Sequence, residues 1–76
     1  MQTPDLYKDF LDSLTNREYE IVTLLAERLT SKEIAQKLNS CELTVKKHRE
    51  HIAQKARIEG RSAMRQFLRD IKPHLP

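Results

Sequence analysis

One glycine, one cysteine and three prolines are all that 76 residues hold of the types that most often break or staple a chain. Each scarcity removes a class of function. A single cysteine closes no internal disulfide, so nothing calls for an oxidising compartment and the cytoplasm is the expected location. One glycine leaves no Gly-rich loop to cradle a phosphate. No apolar run approaches membrane-spanning length, and no signal peptide is visible. A chain this short makes one domain at most, with too little buried surface to enclose a roomy active site. No nucleophile stands with a base and an orienting group either, so neither an enzyme nor a cofactor is expected.

Charge is present, and unevenly. The formal net charge is +3 with a pI near 9.2, but residues 1–30 carry a net −3 and the remainder a net +6. The positive potential of the C-terminal part suits a polyanion such as nucleic acid, although solvated helical surfaces can look the same.

Apolar periodicity is helical throughout, which predicts an all-α fold. Thr15-Asn16-Arg17-Glu18 is a capping box, with Leu14 and Tyr19 placed as a hydrophobic staple. Ile21, Leu24, Leu25 and Leu29 continue one apolar face to about Arg28. Thr30-Ser31-Lys32-Glu33 repeats the device with Leu29 and Ile34, so a short second helix starts almost at once and must cross the first steeply. It carries Ile34, Ala35 and Leu38 inward and ends at Asn39-Ser40-Cys41. A third helix, about 42–56, begins at Glu42 with Cys41 or Ser40 as its cap. Spacing at 100° puts Val45, Ile52 and Ala56 on one side, Leu43, Lys47, Glu50 and Gln54 on the other, and Lys46 and His51 beside the second group. Beyond Gly60 a fourth helix carries Met64, Phe67, Leu68 and Ile71 and stops at Pro73. At the N-terminus, Thr3 and Pro4 can open a short extra helix with Leu6, Tyr7, Phe10 and Leu11 inward, or the segment is a linker remnant. The expected divisions are thus 1–13 as extension or short helix, 14–72 as the domain and 73–76 as a tail.

A short helix, a tight turn and a longer helix with a polar, basic outer side are the parts of a helix-turn-helix, whose second helix enters the DNA major groove. Leu14-Thr15-x-Arg17-Glu18, Leu24-Leu25-Ala26, Lys32-Glu33-Ile34-Ala35, Leu38 and Thr44-Val45-Lys46-x-His48, with Ile52 and Lys55, resemble the LuxR/NarL-type (GerE-like) DNA-binding domain of bacterial transcription regulators. The resemblance covers about residues 14–71. It implies a four-helix domain in which the helix at about 42–56 is the recognition helix, Lys46, Lys47 and Glu50 read bases, and Lys32, Thr44 and His51 hold the DNA backbone. It further implies double-stranded DNA as partner, RNA polymerase as a second one, a homodimer contact through the fourth helix, and service as the output domain of a response regulator. The chemistry agrees: lysine donates to guanine O6 and N7, whereas Glu50 accepts only from a donor such as cytosine N4.

Several residues depart from the family pattern. Arg28 stands where glycine often ends the first helix, and is expected to force a differently built corner. Ser40 and Cys41 weaken the staple and cap of the turn. Arg49, Ala53 and Ala56 replace larger apolar residues, thinning the seat of the recognition helix, a deficit that Leu6, Tyr7, Phe10 and Leu11 are placed to fill. Arg61, Arg65 and Arg69 form a stripe that repels a symmetric copy, so dimers are expected on DNA more than in free solution. His48 and His51 could chelate with Cys41, but no fourth ligand stands nearby and no metal is expected; a structural hydrogen bond suits His48 better. Capping and internal ion pairs account for Arg17, Glu18, Glu33 and Lys55. The rival reading is a helical protein-interaction module that uses this fold without DNA.

Overall fold

The computed structural model describes residues 7–75 as an all-α chain. Its helices are α1 (Lys8–Asp12), α2 (Asn16–Ala26), α3 (Ser31–Lys37), α4 (Glu42–Ala56) and α5 (Arg61–Ile71), followed by a 3-10 turn, Lys72–His74. The four expected helices are α2 to α5. The short N-terminal helix is present as α1, while Thr3, Pro4 and Leu6 lie outside the described residues.

Both capping boxes form. The backbone N–H of Glu18 donates to Thr15 Oγ1 at 3.1 Å and that of Thr15 to Glu18 Oε1 at 2.9 Å. At α3 the N–H of Glu33 donates to Thr30 Oγ1 at 3.1 Å and that of Thr30 to Glu33 Oε1 at 2.8 Å. The stops are equally regular. Arg28 (φ 70°), Asn39 (φ 55°) and Arg57 (φ 58°) are left-handed, and a bond runs from the next N–H back five residues: Leu29 to Leu24 O, Ser40 to Ala35 O and Ile58 to Ala53 O. This is the closure that glycine usually makes at a helix end. Arg28 therefore does not build a different corner. Thr30 must already be extended to cap α3, and the two residues between Glu27 and Thr30 leave the chain no wider path.

One fully buried isoleucine from each of α2 to α5 meets at the centre: Ile21, Ile34, Ile52 and Ile71. Val22, Leu25, Val45 and Leu68 close round them. Phe10 of α1 is 8% exposed and stands edge-on to Phe67 at 5.0 Å; Tyr7 also meets Phe67 edge-on, at 5.9 Å, and lies tilted against His74 at 4.8 Å. The N-terminal rings thus pack on α5 and the 3-10 turn, and Ala53 and Ala56 lie partly buried against the core.

Candidate nucleic-acid interface

Alternation of faces fixes what α4 offers. Val45 (1% exposed) and Ile52 (0%) anchor its inner side, and Lys46, Lys47, Glu50, Thr44 and His51 are all exposed, as is Lys32 near the start of α3. Every sequence-predicted site residue is therefore at the surface, five of them on α4 and Lys32 on the packed neighbour α3. Leu43 lies beside Lys47 on the same outer face, and at 75% exposed it is the large hydrophobic most open to solvent among the described residues. The 100° spacing places it there as well.

Three residues make the contacts that fix this helix and its first turn. Lys55 Nζ donates to Ser13 O at 2.7 Å and to Glu18 Oε1 at 2.6 Å, tying the last turn of α4 to the start of α2. Arg49 Nη1 donates to Ser31 Oγ at 2.7 Å, bracing α4 against the first residue of α3. The seat expected to be thin at Arg49 is thus filled by a hydrogen bond to a buried serine. The third contact is local: Cys41 caps α4 with extended backbone but no side-chain cap bond, and its Sγ instead lies 3.0 Å from Thr44 Oγ1.

Electrostatics follow this geometry. Burial would raise the Glu18 carboxyl, but hydrogen bonds from Lys55 and Thr15 and the Lys55 charge outweigh it and hold the group below its usual range. Glu33 is likewise lowered by the Thr30 N–H and hydroxyl. The Cys41 thiol is lowered by the Thr44 hydroxyl, then by the Thr44 N–H. Lys46 Nζ lies 3.2 Å from Glu42 Oε2, both side chains about half exposed. The cluster with metal-ligand spacing is Glu18, His48 and His51, whose ligand atoms lie within 4.8 Å of one another, and Cys41 is not part of it. Glu18 already receives the Lys55 ammonium there, so a cation occupies one arm of that triangle.

The family model of bacterial regulatory proteins, luxR family (GerE), matches residues 12–68, well over half of the chain. The chain belongs to the LuxR family. As a LuxR-family domain it is a DNA-binding element of transcription regulation. No curated protein and no solved structure matches the chain. Among the described residues no helix is long and apolar enough to cross a membrane.

Proposed function

We propose that this LuxR-family domain binds double-stranded DNA sequence-specifically, with α4 lying in the major groove. One observation carries the reading: α4 is locked on its inner side by Val45, Ile52, Arg49 and Lys55 while Lys46, Lys47 and Glu50 are exposed on its outer side, Lys46 resting on Glu42. A rigid helix with projecting donors and one acceptor is what reading base edges requires. Lys46 and Lys47 donate to guanine, Glu50 accepts from cytosine N4 and repels phosphate elsewhere, and Leu43 supplies the apolar contact that a thymine methyl accepts. Lys32, Thr44 and His51 fix the register on phosphates. The working unit is residues 14–72, acting in the cytoplasm as a homodimer on DNA through α5, with RNA polymerase as the protein that receives its effect.

Selection of bound duplexes from a random pool identifies the operator. On it, Lys47→Ala lowers the ratio of cognate to random affinity, by roughly 1–3 kcal/mol of discrimination. Lys32→Ala weakens all duplexes alike and flattens the salt slope by about one unit. Loss of non-specific affinity alone in both variants removes α4 from the groove, and no binding to any duplex at low salt leaves the protein-interaction module as the reading.

A further inference from the structure

Between the α2–α3 corner and the first turns of α5 lies an open cleft of about 460 Å³. Leu25, Met64 and Leu68 lie at its floor, Arg28, Arg49, Arg61 and Arg65 surround it, and no carboxylate lines it. Among the described residues none of these arginines forms an ion pair; only Arg49 is engaged, through Ser31 Oγ. Arg28 reaches the rim from φ 70°, a backbone state that costs an ordinary L residue on the order of 1 kcal/mol and that glycine would occupy freely. Strain kept at a position where a relaxed residue fits is a sign that the side chain serves a purpose.

We propose that this cleft docks an acidic segment of a partner protein, which seats an apolar side chain on the leucine and methionine floor while its carboxylates meet the four guanidinium groups. Arginine suits the task because its planar fork binds a carboxylate with two parallel hydrogen bonds. An acidic amphipathic helix satisfies both rim and floor. A sugar-phosphate strand would meet the rim and bring little to the floor, which is why protein is favoured over nucleic acid here. Arg49 and Arg61 also border a shallower hollow with Lys46 and Glu50, so the docked segment lies beside the proposed DNA face. The inference does not depend on the DNA assignment.

The probe is a fluorescein-labelled helical peptide with glutamates flanking two leucines one turn apart, and a second peptide in which glutamine replaces both leucines. Fluorescence anisotropy of the whole chain at low salt measures each, with a mixed-sequence duplex titrated in parallel. The leucine peptide binds more tightly than about 1 mM, and the glutamine peptide about tenfold more weakly. Arg28→Gly and Arg65→Gln each weaken the leucine peptide about tenfold, the loss of one charge-assisted pair of roughly 1.4 kcal/mol. Duplex affinity stays within about threefold. Arg28→Gly also relieves the positive φ, so its melting temperature does not fall and the lost binding is not unfolding. Failure of the wild type to bind the leucine peptide, or binding undiminished from wild type in both variants, overturns the proposal. A tenfold loss of duplex affinity in the same variants also overturns it, by making the cleft a track for DNA phosphates.

Discussion

Lys55→Met isolates the tie that sets the angle of α4. Lys55 Nζ makes two short bonds, to Ser13 O and to a Glu18 carboxylate that is 4% exposed, while the Lys55 side chain is 32% exposed. A hydrogen bond to a charged group contributes roughly 1.5–3 kcal/mol. Solvent access on the lysine side and the packing of methionine offset part of both, leaving a net loss of about 2 kcal/mol. For a domain of this size that lowers Tm by roughly 8–16 °C. The pH dependence is the sharper test. In the wild type the folded Glu18 carboxyl titrates below its unfolded value, so its contribution is complete above the usual glutamate range and is lost as pH falls through the depressed value. Without Lys55, burial is opposed by the Thr15 bonds alone, and the folded carboxyl rises from its depressed value. On acidification from about pH 7 to about pH 3.5 the wild type then loses more stability than the variant, and the gap between the two proteins narrows. Urea titrations followed by far-UV circular dichroism at both pH values measure it. A gap below about 0.5 kcal/mol, or one unchanged by pH, refutes the reasoning.

Phe10→Ala removes the buried ring that stands edge-on to Phe67 and lowers stability by about 3 kcal/mol in a urea titration; an unchanged midpoint means α1 is not part of the core. Arg57→Gly relaxes φ 58° at the end of α4 and raises stability by about 0.5–1 kcal/mol in thermal melts, the relief of strain exceeding the added freedom of the unfolded chain. Cys41 is exposed with its thiol lowered by Thr44, so iodoacetamide alkylates it faster than free cysteine near neutral pH, and Thr44→Val removes that advantage. Equal rates for protein and free cysteine would contradict the Cys41–Thr44 contact.

What the sequence made legible was local in origin. Thr15 with Glu18, and Thr30 with Glu33, announce their helix starts because both partners lie within four residues. The two faces of α4 follow from angular spacing alone. Arg28 was misjudged because residue preference was weighed without the geometry imposed by the second capping box, which closes the corner before the chain can choose another path. The Arg49–Ser31 brace spans eighteen residues and the arginine cleft gathers side chains from α2's corner, α4 and α5, so no window of sequence contains either. Spacing placed Leu43 on the outer face of α4, where it is 75% exposed, but its degree of exposure follows from the packing of the whole domain and not from its own window of sequence.

The Lys46–Glu42 pair bears on how such a domain finds its target. At 3.2 Å and half exposed, the pair is a weak latch, held by a fraction of a kcal/mol. If α4 lies in the groove as proposed, a lysine resting on its own carboxylate offers the backbone of random DNA one positive charge fewer, and the domain would grip such DNA loosely. On that proposal the latch would open where a guanine edge offers better acceptors than Glu42. Part of the selectivity then comes from reluctance elsewhere, and a Glu42→Gln domain would hold DNA harder yet take longer to find its place.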